Sequence, residues 1–187
     1  MATSKFPGQP LFDSAKYFNQ ISRNELFMAD CPSVQDFISE LGIDGAYDDY
    51  RHTKEFLASY SKKSQDTYDK FRGDAERLLL WSWLVKGKSV VTLRRRDLEE
   101  YTDFVAKPDP NWQTDRTVKR FLTDSGLRVP NDRWRPFRSA GAGQGRLNTK
   151  SWQGLFSNLS VYFNYLMAED YAFGNQIPII KKNCPYL

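Results

Sequence analysis

The chain has 187 residues, 40% of them apolar and 15% aromatic, which is enough to bury a core and excludes a wholly disordered protein. Its longest strongly apolar stretch, Leu78 to Val85, falls far short of the roughly 20 residues of a spanning helix, so no membrane partner is expected. The net charge of +4 divides unevenly: −4 over residues 1–60 and +8 over residues 61–187. A basic body without membrane or secretory features points to a polyanion, most plausibly nucleic acid.

In chain order, the first thirty residues carry Pro7, Pro10 and few periodic apolar positions, which leaves their order open. Pro32-Ser33 opens a helical segment in which Val34, Phe37, Ile38 and Leu41 recur at helical spacing, and Gly42 stops it. A second helix is expected over about Tyr47 to Tyr60, making a small acidic hairpin with the first. The strongest signal is Ser64 to Lys86. Ser64 can cap this helix, and Tyr68, Phe71, Ala75, Leu78, Leu79 and Trp83 form one apolar stripe ended by Gly87. A shorter helix follows from about Arg94 to Ala106, stopped by Pro108. Residues 107–148 read as an irregular insert with a helix over Thr114 to Ser125, where Val118, Phe121 and Leu122 face inward. The insert with Lys150 holds 10 Lys/Arg against 4 Asp/Glu. A last long helix is expected over about Thr149 to Tyr171. The fold class expected is therefore all-α: a small helical bundle with an irregular insert and an N-terminal helical extension. The expected domains are an acidic extension over 1–54 and a core over 55–183.

Cys31 and Cys184 lie far apart in sequence and read as free thiols of a reducing compartment. The single histidine, His52, reads as a surface residue. Trp81, Trp83, Tyr162 and Phe163 follow helical spacing and read as core. No Walker loop, dinucleotide fingerprint, Ser/His/Asp set or metal-ligand cluster occurs, so neither a cofactor nor a metal is expected.

Several elements, in this order, resemble the core-binding (SAM-like) domain of tyrosine recombinases, the phage-integrase type. The first half carries Ser64-Gln65-Asp66-Thr67-Tyr68, a long helix with Trp near its end, Leu93, and then Asp97-Leu98-Glu99-Glu100-Tyr101. The second half carries Trp134-Arg135-Pro136-Phe137 and LFSNLSVYFNYL from Leu155 to Leu166. Family helices of the latter kind usually lead to an Asn-Pro at the catalytic domain. Here Asn175 is followed by Gln176, and Pro178 comes two residues later, so the junction departs from the pattern.

The resemblance covers about residues 55–183 and implies a DNA-binding module for site-specific recombination and DNA integration. It implies double-stranded DNA and further recombinase protomers as partners, and a cytoplasmic, DNA-associated bacterial protein. The family's His-x-x-Arg segment and distal tyrosine nucleophile are absent, so this polypeptide is expected to lack catalysis, its catalytic domain missing.

Four clusters are the expected DNA contacts. Lys62, Lys63, Ser64 and Thr67 sit at a helix start that suits a phosphate, or form an ordinary solvated cap. Arg94, Arg95 and Arg96 oppose the dipole of the helix they open, unless an anion or Glu99 and Glu100 compensate. Arg133, Arg135, Arg138 and Arg146 lie in the insert, with Arg135 equally a structural partner for a carboxylate. Lys150, Gln153, Ser157 and Ser160 share the polar face of the last helix, with Gln153 and Ser157 the base-reading candidates. The alternative functions are a helical protein-interaction module that uses the acidic 1–60 region, and a truncated regulator that binds recombination sites without cutting.

Overall fold

A computed structural model describes residues 6–20, 31–62, 64–139 and 147–187, with the backbone alone for 18–20. Its helices are α1 (Ala15–Gln20), α2 (Pro32–Glu40), α3 (Ala46–Ser61), α4 (Gln65–Trp81), α5 (Arg95–Ala106), α6 (Thr149–Ala168) and α7 (Ile177–Asn183). Short strands β1 (Gln113–Thr114), β2 (Phe121–Asp124), β3 (Leu127–Pro130) and β4 (Phe137–Arg138) lie between α5 and α6. The fold is thus mainly helical, with a small strand-bearing insert. No helix among the described residues is long and apolar enough to cross a membrane.

α4 is the central element. Ser64 caps it in an extended conformation, its Oγ accepting the Thr67 N–H at 3.4 Å. From Leu78 to Trp83 every side chain is buried, which marks a helix surrounded by protein. A π-helical turn, Ser82–Lys86, continues it to Gly87, whose positive φ ends the run. In this last stretch Trp81 meets Tyr101 of α5 at 5.2 Å, while the Trp83 indole donates to Asp49 of α3 at 2.9 Å.

α3 and α6 complete the core. Phe56 on α3 meets Phe71, Tyr162 and Tyr165 at 5.2–5.3 Å between ring centres. The boundary expected after residue 54 therefore falls inside one continuous helix whose two ends share a core with α4 and α6. Asp49, wholly buried, accepts bonds from Trp83, Ser89, Val90 N–H and Tyr171. Burial pushes its carboxyl above the usual range, against the pull of those four donors.

The N-terminal segment, whose order the sequence leaves open, is built into the core over residues 6–13. Phe6, Leu11 and Phe12 are at most 3% exposed. The buried Glu76 carboxylate of α4 accepts the N–H groups of Leu11 (2.6 Å) and Phe12 (3.2 Å) and pairs with Arg120. Asp13 holds Arg128 through two bonds of 2.7 and 3.0 Å, and its carbonyl accepts from Tyr68 and Arg72.

The helix expected over Thr114 to Ser125 is not formed. β2 and β3 make an antiparallel hairpin there, with Asp124 opposite Leu127. Ser125 and Gly126 both have positive φ, as a two-residue hairpin turn demands. Strand β1 pairs in parallel with β4, joining Gln113 to Phe137 and Thr114 to Arg138. His52 also departs from expectation: it is 8% exposed, stacked on Tyr171 at 4.1 Å. Both cysteines are free, as expected.

Candidate nucleic-acid interface

At the start of α4, Lys62 closes α3 and is exposed, while Lys63 lies outside the described residues. Ser64 is committed to its cap, and Thr67 is half-buried. Asp66, exposed in the first turn, already places a carboxylate near the amide groups that would hold a phosphate. The cluster offers one described free-standing cation beside a competing anion.

At the start of α5, Arg94 occupies the cap position and Asp97 reaches back to its N–H at 2.9 Å. Asp97 also takes Lys88 at 3.1 Å and Lys86 at 3.2 Å. Partial burial works against its charge, but the Arg94 N–H and the two lysines hold the carboxyl below the usual range. This carboxylate is the compensation that three arginines at a helix start require, and it belongs to the same helix. Arg95 and Arg96 pair with Glu99 and Glu100 at 3.4 Å each, as the spacing suggested. Such exposed pairs are weak, so both guanidinium groups can turn to a phosphate at little cost.

The insert spends much of its charge internally. Arg120 pairs with Glu76 and lies over the Trp134 ring at 4.6 Å. Arg128 is held by Asp13. Arg135 folds back, donating to the carbonyls of Asp132 (2.7 Å) and Trp134 (2.6 Å), with its guanidinium 5.4 Å from the Phe6 ring. Its partners are thus carbonyls and a ring rather than a carboxylate. Trp134 and Phe137 are buried as expected, and they leave Arg133 and Arg138 exposed. Arg146 lies outside the described residues.

α6 presents the most regular surface. Asn148 caps it, accepting the Ser151 N–H at 2.9 Å. Trp152, Leu155, Phe156, Leu159, Tyr162, Phe163 and Leu166 are buried, and the opposite face shows Lys150, Gln153, Gly154, Ser157 and Asn164. No Asp or Glu occurs between Thr149 and Ala168. Ser160 is not on this free face: its Oγ and carbonyl accept from Asn175 at 3.0 and 3.1 Å. Among the described residues, a Cβ added at Gly154 would meet no atom outside its own helix backbone within 4 Å, so no packing described there requires a glycine.

The clusters are spread rather than gathered. α4 and its π turn, 17 and 5 residues, separate Lys62 by about 30 Å from Lys86, which pairs with Asp97 in the first turn of α5. α6 joins α4 midway, where Asn158 donates to Asp74 at 2.7 Å. The spread is close to the rise of one duplex turn, about 34 Å.

Tyr186 is engaged structurally, stacked on Trp152 at 5.1 Å with its hydroxyl on Asp103 at 3.0 Å. Among the described residues no three His, Cys, Asp or Glu side chains are grouped to hold a metal ion.

Comparison of the chain with family models, with curated proteins and with solved structures gave no match in any of the three. The likeness to recombinases therefore rests on the order of residues in the chain.

Proposed function

We propose that this chain binds duplex DNA, as a module of the core-binding type found in tyrosine recombinases, with α6 laid against the major groove. The observation that carries this reading is the α6 surface. It is a 20-residue helix with no acidic residue, and its free face bears Lys150, Gln153, Gly154 and Ser157. A carboxylate anywhere on that face would be repelled by phosphates, whereas Gln153 and Ser157 can bond to base edges. A glycine inside a solvated helix costs about 0.5–1 kcal/mol relative to alanine. Close approach of a ligand to the backbone is a use that offsets this cost.

On this reading Lys150, Arg133, Arg138, Arg95, Arg96 and Lys62 neutralise phosphates along about one turn of duplex, while Arg135 shapes the insert. Strand cutting, in a recombinase of this kind, is supplied by another domain.

The test is fluorescence anisotropy with a labelled random 20-bp duplex between about 50 and 200 mM salt, where phosphate contacts are most visible. Lys150→Ala is expected to lower the salt slope by about one. Gly154→Ala is expected to raise thermal stability and weaken DNA binding together. If it stabilises the helix and leaves affinity unchanged, α6 does not face the duplex.

A further inference from the structure

The acidic end of the molecule carries a surface that DNA binding leaves unused. α2 and α3 meet across the turn at Gly42 and leave a groove of about 430 Å³ lined by Ile38, Ser39, Gly42, Ile43, Asp44 and Tyr47. Half of its lining is apolar: Ile38 is buried, Ile43 half-buried, and Tyr47 keeps 48% of its surface exposed. Among the described residues a Cβ at Gly42 would meet nothing within 4 Å, so they leave the groove open above it. The volume suits one or two inserted side chains.

Of the nearby acidic residues Asp44 lines the groove itself, and the exposed charge of α2 and α3 around it has a single sign. Asp36, Glu40, Asp44 and Asp48 recur every fourth residue, all exposed, and no Lys or Arg occurs between Pro32 and Tyr50. Among the described residues no ion pair reaches Asp36, Glu40 or Asp44, and Asp48 meets only Arg51, at 3.6 Å. Two of these positions are locally unfavourable. Asp36 and Glu40 lie one helical turn apart with like charge, and Glu40 ends α2, where the carbonyl end of the helix is already negative. An external cation relieves both.

We propose that this groove receives a basic, amphipathic segment of a partner protein. One bulky apolar side chain sits on Ile38, Ile43 and Tyr47, and flanking Lys or Arg side chains face Asp36, Glu40 and Asp44. Charge complementarity decides the occupant. Nucleic acid is repelled by this charge, and an acidic or neutral segment leaves the carboxylates uncompensated. The groove shares no residue with the α6 face, so both surfaces can be occupied at once.

The experiment uses the full chain, isotopically labelled, titrated with an 11-residue peptide of alternating lysine and leucine. A glutamate–leucine peptide and a lysine–serine peptide are the controls. The lysine–leucine peptide is expected to shift the backbone resonances of residues 36–47 selectively. The lysine–serine peptide, lacking the anchor, and the variant Glu40→Lys/Asp44→Lys should each bind about tenfold more weakly. Both substituted residues are exposed, and Ser39→Arg serves as a second variant if the double one unfolds. Shifts centred outside residues 36–47, equal binding of the glutamate–leucine peptide, or no binding at millimolar peptide each overturn the proposal. Self-association of the chain that the double variant abolishes would also overturn it, giving the groove to a second copy. DNA affinity is measured in parallel. Its loss on Lys150→Ala with the peptide response intact separates failure of one surface from failure of the other.

Discussion

Replacing Glu76 by Gln keeps the shape of the side chain and removes only its charge. The carboxylate is 1% exposed and sits among the Leu11 N–H, the Phe12 N–H and the Arg120 guanidinium. The amide oxygen of Gln can still accept the two backbone N–H groups. What it cannot do is neutralise Arg120, whose other described contacts are the Phe12 carbonyl at 3.2 Å and the Trp134 ring, with Asp69 and Asp13 acting on it only from beyond ion-pair distance. Leaving one partner of a buried pair uncompensated costs about 3–5 kcal/mol. For a chain of this size each kcal/mol lowers the melting point by about 2–4 °C, so the expected fall is roughly 6–20 °C. Differential scanning calorimetry of Glu76→Gln measures it directly. The double variant Glu76→Gln/Arg120→Met removes both charges and is expected to regain part of the loss. A single variant melting within about 2 °C of the parent, or a double variant melting below the single one, would refute the argument from uncompensated charge.

Three further outcomes are expected. Arg135→Ala lowers the melting point and leaves the salt slope of DNA binding unchanged, whereas Arg138→Ala does the converse, losing about one from the slope; calorimetry and anisotropy on the same samples check this. Gly126→Ala places a Cβ at φ +84° in the hairpin turn and should cost about 1–2 kcal/mol, read from the denaturant midpoint. His52 is held below its ordinary 6.5 first by burial and then by Arg51, while Glu55, Asp48 and Glu169 pull the other way. The unfolded chain then binds the proton more readily than the folded one. The stability from neutral His52 is complete above 6.5 and is lost as pH falls below it. His52→Phe keeps the stack on Tyr171 and should flatten the pH dependence of urea midpoints between pH 7.5 and 5; an unchanged profile contradicts the assignment.

Elements governed by local signals were readable in the sequence. Ser64 and Gly87 bracket α4 with its π turn, and the apolar stripe of α6 predicts its buried face residue by residue. What escaped depends on residues far apart in the chain. Phe6, Leu11 and Phe12 have no helical period, because Leu11 and Phe12 are held by Glu76 some 65 residues later and Phe6 by Trp112 and Trp134. His52 is covered by Tyr171, which no local pattern announces. Val118, Phe121 and Leu122 mimic helical spacing, yet Asp124-Ser125-Gly126 carries the turn chemistry of a hairpin and was the signal to weigh. At the candidate interface, counting charges overstated the free cations of the insert. Arg120 and Arg128 answer buried or half-buried carboxylates, and Arg135 answers carbonyls. The acidic residues from Asp36 to Asp48 were visible only as a net negative charge until α2 and α3 formed a groove lined by one of them, Asp44.

The stitching of the N-terminal segment also sets a schedule for biosynthesis. Phe12 and Arg120 are joined across 108 residues and Phe6 packs on Trp112 and Trp134, so on a ribosome this segment cannot be fully covered until the insert has followed it. At about 5–20 residues per second that interval is roughly 5–20 s. Throughout it, Phe6 lacks its two tryptophan partners, and a nascent chain stalled before Trp112 exposes that apolar surface to chaperones.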